Sequence, residues 1–161
     1  MVTPAAQRSW RRSPHGRNVI AGVLIGLGTV AFVDEVVFHQ LLHWHHFYDR
    51  ASTGAGLVSD GLFHAFSWFA TVAGLLMVAA LRREHLFAGA AATAGLLTGA
   101  GFFQLYDGVV QHKLMGLHQI RYDVDLLVYD LTWNAIAVVL LVAGIVLWVV
   151  TGRRQARAGT P

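Results

Sequence analysis

Apolar residues occur in four long runs along the chain, at residues 18–42, 58–81, 86–110 and 126–150. An α-helix needs roughly 20 apolar residues to cross a bilayer core about 30 Å thick, and each run meets that length. The pattern therefore predicts an all-α fold. We expect a bundle of four transmembrane helices at residues 18–150, an N-terminal segment at 1–17 and a tail at 151–161.

Basic residues are concentrated at one end of this predicted bundle. They precede the first run, separate the second from the third, and follow the fourth: Arg8, Arg11, Arg12, Arg17, Arg82, Arg83, Arg153, Arg154 and Arg157. Because cytoplasmic loops carry the excess of Lys and Arg, we expect both termini on the cytoplasmic side of a cell (inner or plasma) membrane. The net charge of +3 then reflects topology and contact with anionic membrane lipids, and no nucleic-acid binding is expected.

The first and third runs resemble each other. A shift of 73 residues superimposes identical ionisable residues: Asp34 and Asp107, His39 and His112, His45 and His118. A shift of 70 pairs the second run with the fourth, matching Asp60 with Asp130. The sequence thus predicts two tandem helical hairpins, at residues 18–83 and 86–153, related by an axis along the membrane normal.

Small residues recur at helical spacing in both repeats. Gly22 and Gly26 form a small-xxx-small motif, and Gly95 and Gly99 form its equivalent. Such motifs let helices approach closely in lipid. They predict a contact between the first and third helices or, alternatively, with a second subunit of a homodimer or a membrane-protein partner.

Most ionisable residues lie at the end opposite the basic residues. Seven of the nine histidines are there: His39, His43, His45, His46, His64, His112 and His118. Embedding a charge near the bilayer centre costs at least about 3 kcal/mol, so such residues normally face the interior and pair. At about 100° per residue, Glu35, His39, His43 and His46 share one helical stripe, whereas Asp34 and His45 lie on another side. Asp60 and His64 are one turn apart and can meet.

The polar segments resemble a known family over nearly the whole chain. They are Val33-Asp34, His39-Gln40, Trp44-His45-His46, Asp60-Gly61-Leu62-Phe63-His64, His112, Gly116-Leu117-His118 and Arg121. In this spacing the chain is similar to uncharacterised bacterial membrane proteins grouped as domain of unknown function 2243. The resemblance implies four transmembrane helices and a cell-membrane location, but no activity. Glu35 and His43 depart from the family pattern, in which glycine and glutamine are usual.

Imidazoles and carboxylates at the outer membrane face predict a metal site. These ligands suit zinc, iron, manganese or copper(II), and the absence of cysteine excludes thiolate sites. His39, His64 and His112 are the first candidate ligands, and Asp34, Asp60 and Asp107 are expected to bind the metal or orient an imidazole. His45, His46 and His118 complete the candidate set. The prediction is metal handling or delivery.

Two other interpretations stay open. His39 and His112 occupy equivalent positions, as two axial haem ligands on facing helices would. Alternatively, the His/Asp cluster is a structural polar lock in a non-enzymatic scaffold or assembly partner. Catalysis is not favoured, because no serine or cysteine has a convincing base and orienting partner.

Overall fold

The computed structural model describes residues 13–158, which form four helices and no strand. The helices are α1 (Pro14–Asp34), α2 (Thr53–Arg83), α3 (Gly89–Leu105) and α4 (Leu126–Ala158). Two π-helical segments, Glu35–Leu41 and Tyr106–Met115, continue α1 and α3. The predicted all-helical, four-helix fold is confirmed. Arg8, Arg11 and Arg12 lie outside the described residues, and α4 continues through the described part of the predicted tail.

Polar residues set the starts of α1 and α2. Ser13 precedes Pro14, and its Oγ accepts a hydrogen bond from the Gly16 amide at 3.0 Å. Ser52 similarly accepts from the Ala55 amide at 3.3 Å. A serine cap satisfies an amide that the first helical turn leaves free. The helices therefore begin outside the apolar runs, four and five residues before their first residues.

The helices lie side by side in the order α2, α1, α3, α4. The parallel helices α1 and α3 form the central pair, α2 packs on α1, and α4 packs on α3. Consequently α1 is much more buried than the two outer helices, whose exposed faces carry large apolar side chains. A surface of this kind is suited to lipid rather than to water.

Glycines allow the close packing of the central pair. A side chain at Gly22 would overlap Ala92 of α3, and one at Gly95 would overlap Val19 of α1. The predicted contact between the first and third helices is therefore confirmed. The two contacts also correspond under the shift of 73 residues, as do the Gly26 and Gly99 contacts. This correspondence supports the duplication, which remains a prediction.

Three helical segments are long and apolar enough to cross a membrane, within the described range. They are Pro14–Leu41, Thr53–Arg83 and Leu126–Arg157. The helix α3 is rich in Gly and Ala because it packs between α1 and α4, so it presents fewer large apolar side chains. The expectation that α3 also crosses remains a prediction.

Asn18 forms several hydrogen bonds at the end of the molecule where the short connection between α2 and α3 lies. This buried amide donates to the carbonyl oxygens of Pro14 and Leu86, at 2.7 and 2.9 Å, and accepts from the Ala88 amide at 2.8 Å. Arg17 pairs with Glu84 at the same end. These contacts fix the connection between the two hairpins. His15 and His85 lie near this end, and the other seven histidines lie towards the opposite end.

Candidate metal centre

Both central helices widen just before they reach the site. In the π-helical segments each turn contains an additional residue relative to an α-helix, an arrangement that is frequent at functional sites. Each segment then ends abruptly: His43 and Gly116, which are equivalent under the 73-residue shift, have φ angles of 50° and 55°. The chain beyond folds back over the helix ends, so that residues after Leu42 do not follow the 100° spacing of an α-helix.

Six buried side chains meet between these helix ends, three from each half of the chain. Their relative exposures range from 2% to 6%. We call this set the histidine centre: Asp34, His39, His45, Asp107, His112 and His118. The prediction that Asp34 and His45 lie on a different side from His39 is wrong. It extended α-helical spacing through a π-helix and into a loop.

The four imidazole rings are arranged almost symmetrically. The rings of His45 and His118 stack in the middle, with centroids 4.5 Å apart and planes at 6°. The His39 ring lies 4.5 Å from that of His45, and the His112 ring lies 4.6 Å from that of His118. The centre is therefore shared by the two halves of the chain.

Backbone carbonyls fix the tautomers of the two central histidines. His45 Nδ1 lies 3.0 Å from the Ile120 oxygen, and His118 Nδ1 lies 2.9 Å from the Phe47 oxygen. A carbonyl only accepts hydrogen bonds, so both Nδ1 atoms carry the proton. A neutral imidazole protonated at Nδ1 has its lone pair on Nε2. Both rings therefore present a lone pair to the interior of the centre.

Carboxylates accept from Nδ1 of His39, as the backbone carbonyls do from Nδ1 of His45 and His118. Its Nδ1 lies 2.7 Å from Glu35 Oε2 and 3.3 Å from Asp60 Oδ1. Donation from Nδ1 leaves the lone pair of a neutral His39 on Nε2, which lies only 2.9 Å from Nε2 of His45. Two lone pairs at that distance repel each other unless a proton or a cation lies between them.

In the other half of the centre, Asp107 lies beside two histidines. Within residues 13–158, Nδ1 of the buried His112 has no hydrogen bond. Oxygens of Asp107 lie 3.1 Å from His112 Nε2 and 3.6 Å from His118 Nε2. A buried polar atom without a partner is costly, so a ligand that bonds to His112 Nδ1 would be stabilised there.

Burial also keeps His45 neutral. Desolvation, followed by the neighbouring His118, His39 and His112, lowers the pKa of His45 to about 2. A metal ligand must be the neutral imidazole. The Nε2 lone pair of His45 is therefore available at physiological pH.

The remaining candidate residues lie around or away from the centre. Asp60 is buried and accepts from the Phe47 amide at 2.7 Å, and its other oxygen lies 2.6 Å from His46 Nδ1. Asp60 thus bonds to His46 and Phe47, and not to His64, which the helical spacing would also have allowed. The half-buried His64 packs edge-to-face against Phe32, with centroids 5.1 Å apart.

Two groups of side chains place their ligand atoms within 4.8 Å of one another. One group is His45, His112 and His118; the other is Glu35, His39 and Asp60. Sequence reasoning underestimated Glu35, which is fully buried. Its equivalent under the 73-residue shift is Gly108, so the orienting carboxylate is present in only one half.

Comparison with known proteins supports the membrane assignment. A family model described as a predicted membrane protein, domain of unknown function 2243, matches residues 21–151. The chain belongs to this family. No curated protein and no solved structure matches it. In this member of family 2243, the matched region contains the whole histidine centre together with Glu35 and Asp60.

Proposed function

We propose that this protein binds a divalent transition-metal ion in the histidine centre and takes part in handling or delivering that metal at the membrane. The observation that carries the proposal is the 2.9 Å approach of His39 Nε2 to His45 Nε2. Both rings have their Nδ1 atoms committed to oxygen acceptors. A cation that accepts both lone pairs removes the repulsion between them.

The spacing of the nitrogens suits a small metal ion. Ligands about 2.0–2.1 Å from zinc in a tetrahedral site lie roughly 3.3 Å from one another. The ligand atoms of His45, His112 and His118 lie within 4.8 Å of one another, and Asp107 lies beside His112 and His118. Zinc, copper(II) and iron all accept imidazole with carboxylate.

Charge supports the same proposal. Four carboxylates are almost completely buried: Asp34, Glu35, Asp60 and Asp107. Burying an uncompensated carboxylate costs several kcal/mol. A divalent cation would offset part of this negative charge. Glu35 and Asp60 would act on the metal through His39, as orienting partners of an imidazole.

Ring packing favours an ion over haem. A haem ligated by His39 and His112 would have to lie between these residues, where His45 and His118 are stacked. We therefore expect the purified protein to lack a Soret band.

The alternative is a structural polar lock in a scaffold protein. One observation favours it: the bonds of His45 to Ile120 and of His118 to Phe47 join the two outer loops directly, together with the Asp49 amide and the Leu117 oxygen at 3.1 Å. In that case a proton, and not a metal ion, would lie between His39 and His45.

Metal analysis separates the two functions. The full chain is purified in detergent, loaded with zinc, copper(II) or iron(II), desalted and analysed by mass spectrometry. We expect about one ion per chain for one of these metals and at least a tenfold loss in His45→Ala and His118→Ala. The matched control His64→Ala should keep its metal. Wild-type protein that retains no metal after loading, while remaining helical, would favour the scaffold.

The proposal places the centre at the outer face of a cell membrane, with both termini cytoplasmic. The basic residues near the opposite end support this orientation. Membrane lipids are then the immediate partners of the exposed apolar faces.

A further inference from the structure

An apolar groove lies beside the histidine centre. It has a volume of about 420 Å³ and is lined by α2, α3, the loop after α1 and α1 itself. Phe63 stacks with Phe47 and with Phe103, at centroid distances of 4.7 and 5.7 Å. The Phe63 ring also lies 5.8 Å from that of His39. Aromatic rings thus extend from the groove to the edge of the centre.

One polar group in the groove lacks a partner. Gln111 lines the groove and is 4% exposed, and its Oε1 has no hydrogen bond to any of the described residues, 13–158. A buried acceptor that has lost water without gaining a donor is destabilising. Its place among phenylalanines therefore favours a ligand with both a donor and an aromatic surface.

A second groove of about 420 Å³ lies at the equivalent position between α1 and α4. There Phe38 takes the place of Gln111. Two polar residues of that groove bond to each other: Gln104 Nε2 donates to the Trp133 oxygen at 3.1 Å, and Trp133 Nε1 donates to the Gln104 oxygen at 2.9 Å. The two grooves therefore have about the same volume. The first contains the free acceptor Gln111 Oε1, whereas the second has the apolar Phe38 at that position.

We propose that the Gln111 groove binds an aromatic alcohol with an apolar tail, the chemical class of lipid-soluble phenols and quinols. The hydroxyl group donates to Gln111 Oε1, and the ring packs among Phe47, Phe63 and Phe103. The volume is within the range of small-molecule sites, roughly 300–1,000 Å³. Leu62 and Phe66, both more than half exposed on α2, lead from the groove to the lipid-facing surface and would receive the tail.

The test compares two probes that differ by one hydroxyl group. Binding of decylphenol and decylbenzene to the full chain in detergent is measured by isothermal titration. Because one hydrogen bond to a buried acceptor contributes on the order of 1 kcal/mol, we expect wild-type protein to bind decylphenol roughly three- to tenfold more tightly. Gln111→Leu should bind both probes with equal affinity.

A matched pair of variants tests the location. Phe66→Trp narrows this groove, and Ile136→Trp makes the corresponding change in the second groove. We expect decylphenol binding to fall at least fivefold in Phe66→Trp and to be unchanged in Ile136→Trp. Equal binding of the two probes by wild-type protein, or an equal loss in both tryptophan variants, would overturn the proposal. Such a result would leave the proposed metal site untouched, because the residues that line the groove are not the proposed metal ligands.

Discussion

The rings of His45 and His118 stack in parallel at 4.5 Å, and each donates a hydrogen bond to the loop of the other half of the chain. His45 bonds to the carbonyl of Ile120, and His118 bonds to that of Phe47. Each loop thus positions the other loop's histidine. The consequence is that the centre forms only when both helical hairpins are packed together.

The carboxylate behind His39 should control metal affinity. Glu35→Gln keeps an acceptor for His39 Nδ1 but removes the charge that makes the imidazole a stronger donor to a metal. Loss of such a partner typically weakens metal binding about 10–100-fold, and we expect a change of that size in competition with a chromophoric chelator. Asp123→Asn, an exposed loop change, is the control. Equal affinity in both variants would show that Glu35 does not act on the metal through His39.

Residue identity under the shifts of 73 and 70 residues is a better guide to the centre than helical periodicity. All six members of the centre have an identical partner in the other half, whereas His43, His46 and His64 are matched by Gly116, Gln119 and Asn134. Those three histidines lie outside the centre. Helical periodicity did not predict which side chains meet, because the π-helical turns and the loop after Leu41 change the direction of every later side chain.

The helices themselves were predictable, because hydrocarbon length imposes long apolar runs. The role of Gln111 was not. A neutral amide among apolar residues has no distinctive sequence pattern, and its missing hydrogen-bond partner depends on which side chains surround it. The buried position of Glu35 likewise depends on α2, which brings Asp60 alongside His39.

Acid should destabilise the metal-free protein. The pKa of His45 falls from an ordinary 6.5 to about 2 on folding, chiefly because the ring is buried. Between these values His45 binds more protons in the unfolded chain than in the folded chain, so its contribution to stability is lost as the pH falls below about 6.5. We expect a lower thermal midpoint at about pH 5 than at about pH 8, measured by circular dichroism in detergent.

His45→Asn provides the comparison for this effect. The Asn amide can donate to the Ile120 oxygen, but it does not titrate. Its thermal midpoint should therefore change less with pH than that of the wild type. The same pH dependence in both proteins would contradict a buried, neutral His45.

Close contact between the central helices should be sensitive to a single methyl group. In Gly95→Ala the new Cβ would overlap the Val19 carbonyl oxygen on α1, and overpacking of this kind costs about 1–3 kcal/mol. Gly61→Ala on α2 meets nothing within 4 Å. We expect a lower thermal midpoint only for Gly95→Ala, and also weaker metal binding, because α1 and α3 carry the two halves of the centre. Equal midpoints for the two variants would contradict the contact.

The position of α3 decides whether the chain crosses the membrane three or four times. The chain has no cysteine, so single cysteines can be introduced at exposed sites before and after α3. If α3 crosses, Glu84→Cys and Tyr122→Cys lie on opposite sides of the membrane. We expect a membrane-impermeant maleimide to label Tyr122→Cys in intact cells and Glu84→Cys only after permeabilisation. Under the proposed orientation, we expect Ala51→Cys to be labelled like Tyr122→Cys and Gln155→Cys to be labelled like Glu84→Cys. Labelling of Glu84→Cys and Tyr122→Cys from the same side would show that α3 does not cross, and the two halves of the histidine centre could then not meet as described.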